Sequence, residues 1–202
     1  MSRELPKGAW LVAEETLRQA AKVLVPVFLA EIGDKTMLAT AAFSMRARPL
    51  AALAVSALAY IAANSLPVLL ACKAAEALAF HADALRAAAG VGFAVLGLLL
   101  LLRSEGEEQE AETAGGAFSY FLLLTLSEVG DKTQVVTVLS AALTADAALT
   151  LSLGTLSYVA ANGIGVAAAQ LAKRKLPARA LRRASAALFL VIGVLCALTA
   201  VL

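Results

Sequence analysis

Glu31-Ile32-Gly33-Asp34-Lys35-Thr36 and Glu128-Val129-Gly130-Asp131-Lys132-Thr133 are the same charged hexapeptide pattern written twice, 97 residues apart, inside strongly apolar sequence. At bilayer depth each ionisable side chain costs at least roughly 2.5 kcal/mol on insertion scales, so three in each copy imply a use. The similarity extends beyond the motif. Tyr60-Ile61-Ala62-Ala63-Asn64 matches Tyr158-Val159-Ala160-Ala161-Asn162, and Phe93 through Gly97 resembles Phe189 through Gly193, each within one residue of the same offset. The chain reads as two halves of like design, with the two motifs forming one site between them.

Of 202 residues, 61% are hydrophobic and 16% charged, and the mean hydropathy is +0.83. Soluble domains carry an apolar share nearer about 45–50%. This is the composition of an integral membrane protein. Charged and proline-bearing breaks divide the chain into six apolar stretches, about 21–45, 49–72, 86–103, 117–141, 147–171 and 183–202. Each approaches the roughly 20 residues that cross hydrocarbon as a helix. Alternation at period two is absent, which argues against a barrel.

The expected fold is therefore an all-α membrane protein with six transmembrane helices. Three helices per half is an odd number, so the second half enters the membrane from the opposite side, giving two inverted three-helix repeats. The organisation is a tail or interfacial helix over 1–20, repeat 1 over 21–103, an acidic linker over 104–116 and repeat 2 over 117–202. The linker carries Glu105, Glu107, Glu108, Glu110 and Glu112 and reads as a solvated loop. Lys and Arg counts of nine against six place the odd-numbered loops in the cytoplasm and both termini outside, although the basic N-terminus argues the other way. The net charge of +2 belongs mainly to loops. It bears on orientation and lipid headgroups, and no nucleic-acid partner is expected. Cys72 and Cys196 read as buried small hydrophobes, and His81 as a loop residue.

On a continuous helix Glu31 and Asp34 stand at i and i+3, as do Glu128 and Asp131, so each pair converges on one face. These four acids are the candidate cation- and proton-binding groups. Oxygen ligands without His or Cys suit a hard cation such as calcium, magnesium or manganese. Lys35 and Lys132 follow the glutamates at i+4, where they would pair with them or snorkel outward; a structural or charge-compensating role fits better than ligation. Four acids and two lysines leave a charge of minus two, which a divalent cation balances. Protons taken up in place of metal would complete an exchange cycle.

Gly33 and Gly130 either pack a partner helix or free a carbonyl for the ion. Thr36 and Thr133 reach the site only if the helix unwinds at those glycines; otherwise they bond a preceding carbonyl. Gln134, opposite Met37 in the repeat, is expected near the pathway. Asn64 and Asn162 serve either interhelical hydrogen bonding or orientation of the acids. Tyr60 and Tyr158 read as packing or interface residues.

The paired E-x-G-D-K-T motif in a duplicated six-span chain of this length resembles the GDT1 family, also called the uncharacterised protein family 0016. The likeness covers nearly the whole chain. It implies a secondary transporter of manganese and calcium coupled to proton exchange, with the motifs facing each other across the repeat interface. Bacterial members look like manganese exporters. On that resemblance Glu31, Asp34, Glu128 and Asp131 bind the ion, with Thr36, Thr133 and Gln134 lining the path. The charged stretch before the first span departs from compact members of the family.

The expectation is an inner-membrane, multi-pass antiporter exporting manganese, with calcium as a second cargo, in exchange for protons. Its partners are divalent ions, protons and lipid; no prosthetic group is expected, and the metal is bound only in transit. Monomer and homodimer stay open. The rivals are a cationic amino-acid exporter and a non-transporting scaffold. An intramembrane enzyme would need a nucleophile and base or a histidine-rich metal site, and the spans contain no histidine.

Overall fold

The computed structural model describes residues 7–102, 116–172, 187, 190–195 and 197–198. The described residues are helical throughout, with short connectors and no strand. Residues 1–6, most of the acidic linker, Cys196, much of the sixth apolar stretch and the basic cluster at 173–183 lie outside them, and with them much of the basis for orientation.

The first motif stands between α1 (Lys7–Glu31) and α2 (Lys35–Ser44). Next come α3 (Pro49–Ala77), a short 3-10 turn (Ala79–His81) and α4 (Ala82–Leu102). The second motif stands between α5 (Ala117–Glu128) and α6 (Lys132–Thr144), followed by α7 (Ala147–Ala172). Residues 190–195, 197 and 198 are also helical. The order of elements around the second motif repeats that around the first.

Both motif stretches are broken helices. Gly33 has φ +74° and Gly130 has φ +75°, a left-handed conformation that glycine adopts freely and that costs other L-residues energy. Each break is one tight turn: Asp34 N–H donates to Glu31 O at 3.0 Å and Asp131 N–H to Glu128 O at 3.1 Å. The next helix then restarts from the aspartate carbonyl, with Leu38 N–H to Asp34 O and Val135 N–H to Asp131 O. The glycine N–H groups, lost to the ladder, are taken by side chains one turn ahead. Gly33 N–H meets Met37 Sδ at 3.2 Å, and Gly130 N–H meets Gln134 Oε1 at 2.9 Å.

The breaks also divide apolar length. Pro49–Ala77 and Ala147–Leu171 are each long and apolar enough to cross a membrane, whereas Ala117–Glu128 is a shorter apolar helix. At about 1.5 Å per residue its 12 residues reach only about 18 Å, short of a hydrocarbon core of about 30 Å.

The long helices carry the broken ones. α1 packs on α6 and α7, α2 on α7, and α3 on α5, α6 and α7. The main apolar cluster joins Val23, Val27 and Ala30 of α1 to Tyr60, Phe93, Val136 and Tyr158. A second cluster joins α2 and α5 through Ala39, Phe43, Tyr120, Phe121 and Leu124, with the rings of Phe43 and Tyr120 stacked 4.0 Å apart. In the repeat alignment Phe43 and Tyr120 correspond to Ser140 and Val23, so the two ends of the bundle are filled differently. α4 meets the last helical stretch at backbone distance: a Cβ on Gly90 would stand 2.6 Å from Ala197 N and 2.9 Å from Gly193 O. Gly90 and Ala94 face Gly193 and Ala197, the small-xxx-small arrangement that lets helices touch.

Candidate functional site

The breaks bring the charged groups to four helix ends, where α1 and α5 stop and α2 and α6 begin. Asp34 (φ −82°, ψ 165°) and Asp131 (φ −82°, ψ 167°) are the N-cap residues of α2 and α6, in extended conformation, yet neither side chain makes a cap hydrogen bond. Their carboxylates turn instead to lysines of the opposite half. Lys132 Nζ pairs with Asp34 Oδ1, and Lys35 Nζ lies 3.4 Å from Asp131 Oδ1. A crossed pair of ion pairs therefore ties the motifs together.

The two glutamates are fully buried and unequally served. Glu31 Oε1 accepts from Thr36 Oγ1 at 2.6 Å and from Asn162 Nδ2 at 2.9 Å, and its Oε2 has a longer contact to Thr133 Oγ1 at 3.4 Å. Glu128 Oε1 accepts from Tyr158 Oη at 3.2 Å, while its Oε2 has no hydrogen-bond partner. Thr40 and Thr137, one turn beyond the motif threonines, bond back to Thr36 O and Thr133 O. Each also meets a tyrosine hydroxyl: Tyr120 donates to Thr40 at 2.7 Å, and Tyr60 Oη lies 2.9 Å from Thr137 Oγ1. Tyr60 and Tyr158 lie against each other with ring centroids 4.7 Å apart. Among the described residues, no three His, Cys, Asp or Glu side chains converge closely enough to hold a metal ion.

A charged, doubly broken helix pair at the junction of two like halves is the geometry on which the family comparison falls. The family model for the divalent cation/proton antiporter GDT1 matches residues 19–108 and 116–202. The chain belongs to the GDT1 family. It is also 31% identical over 183 residues, 89% of this chain and 90% of the other, to a protein of Vibrio cholerae serotype O1 described as "Putative manganese exporter". No solved structure matches significantly. The GDT1 family is one of membrane transporters and not an enzyme class.

In this GDT1 protein two sequence expectations change, and one that was left open is decided. The motifs are not continuous helix, so the i, i+3 convergence of Glu31 with Asp34 and of Glu128 with Asp131 does not apply as drawn. The lysines pair across the halves with aspartates, not along one helix with Glu31 and Glu128, because the left-handed glycine rotates Lys35 and Lys132 out of the i+4 register. The same rotation brings Thr36 onto Glu31, which a straight helix would prevent. Gln134 is held at the break, accepting from Gly130 N–H and donating Nε2 to Ala63 O at 3.0 Å. Asn162 joins α7 to Glu31, whereas the Asn64 amide nitrogen bonds Tyr60 O at 3.0 Å on its own helix.

Sequence reasoning missed the tyrosines as site residues. The matched Tyr-x-x-x-Asn in both halves was the available signal, since it puts Tyr60 with Asn64 and Tyr158 with Asn162 on one helix face. Tyr120 carried no such signal, because Val23 stands at its repeat position.

The role of Gly130 is conformational: a Cβ there would meet nothing within 4 Å. Gly130→Ala is thus expected to cost only the left-handed backbone term, roughly 1–2 kcal/mol. Gly130→Asn should cost less, since asparagine enters that region more readily. Thermal unfolding of the two variants in detergent checks the order; equal losses would show that something other than φ sets the cost.

Proposed function

We propose that this GDT1 protein is a multi-pass inner-membrane antiporter of six spans, arranged as two inverted three-helix repeats, that expels manganese in exchange for protons and takes calcium as a second cargo. In this reading residues 21–103 and 117–202 are the repeats. Glu31, Asp34, Glu128 and Asp131 bind the ion, Lys35 and Lys132 are the counter-charges that stand in when no metal is bound, and Thr36, Thr133 and Asn162 hold Glu31.

The observation that carries the reading is the crossed pairing of Asp34 with Lys132 and of Asp131 with Lys35 at two facing helix breaks. A divalent cation entering between the breaks would draw the four carboxylates together and displace two ammonium groups, which can swing away on flexible stems. Hard oxygen donors suit manganese and calcium. A proton on any of these carboxylates removes charge that the metal needs, so proton entry from one side favours metal release. Rocking of one repeat against the other would expose the site alternately. The description of the Vibrio cholerae relative supports manganese as cargo.

Proteoliposomes holding a pH-sensitive dye test this directly. Manganese added outside should drive proton movement with the wild-type protein, and Glu31→Gln combined with Glu128→Gln should reduce it to the level of empty vesicles. A double variant as fast as wild type overturns the reading. Wild-type flux no greater than that of empty vesicles, together with charge variants that lose folding, would favour the scaffold instead.

A further inference from the structure

Six buried side-chain polar atoms among the described residues have no hydrogen-bond partner: Asn64 Oδ1, Asn162 Oδ1, Glu128 Oε2, Asp131 Oδ2, Thr125 Oγ1 and Ser140 Oγ. The last two are hydroxyls on α5 and α6. Two of the other four belong to the motif acids, and two are the amide oxygens of a matched asparagine pair.

Both asparagines are fully buried and near the middle of their helices, Asn64 in α3 and Asn162 in α7. Each donates Nδ2 to the carbonyl four residues back, Tyr60 O or Tyr158 O, at 3.0 Å. That bond fixes which end of the amide is which, because an oxygen there would face another oxygen. The amide oxygens are thereby turned away from their own helices and left unserved. A buried polar atom in that condition lowers stability unless another state of the protein serves it.

Their place relative to the acids follows from packing. α7 packs on α1, which ends at Glu31, and α3 packs on α5, which ends at Glu128. Asn162 Nδ2 reaches Glu31 Oε1 at 2.9 Å, and Ala63, beside Asn64, accepts from Gln134 at the second break.

We propose that the side-chain oxygens of Asn64 and Asn162 are direct ligands of the transported cation, completing a shell that the motif carboxylates begin. The assignment rests on the transport reading above. Its chemistry is that of hard divalent ions, which take amide carbonyl oxygens together with carboxylates. Two neutral oxygens raise the ligand number without adding charge, so a site of four acids and two lysines stays matched to a 2+ ion. The pair also contributes one ligand from each half, from the two long helices that carry the breaks.

Manganese binding to purified full-length protein, followed by the electron paramagnetic resonance signal of free Mn2+, tests the assignment. Asn64→Ala is expected to weaken binding at least tenfold, and Asn64→Gln, which keeps both the amide oxygen and the donor, to weaken it less. Asn162→Ala and Asn162→Gln repeat the comparison at the second site, so a misfolded Asn64 variant leaves the question decidable. If Asn162 only positioned Glu31 through its N–H, Asn162→Ala would weaken binding no further in a Glu31→Gln background, and that result overturns its role as ligand. Wild-type affinity in both alanine variants overturns the proposal while leaving the transport reading standing. Absence of manganese, calcium and magnesium binding to the wild type overturns both.

Discussion

Lys132→Met is expected to destabilise the protein by about 3–5 kcal/mol, the cost of stranding a buried charge by removing its partner. Lys35→Met should cost less, about 1–2 kcal/mol, because the buried Asp131 that it leaves still feels the attraction of Lys132. The two lysines are equivalent in sequence and unequal in place. The two carboxylates are alike in burial, Asp34 12% and Asp131 9% exposed, but the Lys132 side chain is 8% exposed and the Lys35 side chain 46%. Lys132 also acts electrostatically on Glu31, Glu128 and Asp131 as well as on Asp34. Thermal unfolding in detergent separates the variants, by roughly 6–20 °C for Lys132→Met if the scaling of soluble domains of similar size applies. Adding Asp34→Asn to Lys132→Met should recover much of the loss, because no uncompensated charge then remains. Equal melting temperatures for Lys132→Met and Lys35→Met would contradict the account.

Gly90→Ala is expected to have the next largest effect, at or beyond the upper end of the roughly 1–3 kcal/mol typical of overpacking. The added methyl meets backbone: Ala197 N at 2.6 Å and Gly193 O at 2.9 Å. Backbone within a helix cannot step aside locally, so the whole crossing of α4 with the last helical stretch must open. Gly92, two residues on, is the control. The three atoms nearest its Cβ would all belong to the side chain of Leu139, the first being Cδ1 at 3.0 Å, and a leucine tip can turn to another rotamer. Gly92→Ala should therefore lose well under half of what Gly90→Ala loses, and parity in melting temperature would show that backbone contact is not what sets the cost.

How far the sequence could be read depended on the range of the interaction. The duplicated hexapeptide was visible because a charge in apolar sequence stands out locally, although whether the helices break there stayed open. The pairing of its lysines was not, since helix spacing joins Glu31 to Lys35 whereas the actual partners, Lys132 and Asp34, lie in different halves. The fate of Thr36 hung on whether Gly33 adopts a left-handed φ, a choice that glycine permits but does not dictate. Tyr158 looked like packing because its ring does pack against Tyr60, and its hydroxyl found Glu128 only through the fold. Gly90 and Gly193 were legible as small residues in helices, but nothing in either segment alone names the other as its neighbour.

The crossed ion pairs also set an order of events during synthesis. Lys132 leaves the ribosome roughly 100 residues after Asp34, a delay of roughly 5–20 s at ordinary elongation rates of about 5–20 residues per second. Through that interval the first half holds a carboxylate whose closest partner does not yet exist. The nascent first half is thus an unfinished object, and the Asp34–Lys132 pair can close only when α6 arrives. A chain interrupted in the acidic linker should be cleared as misfolded, while the two halves made as separate polypeptides in the same membrane should rescue one another.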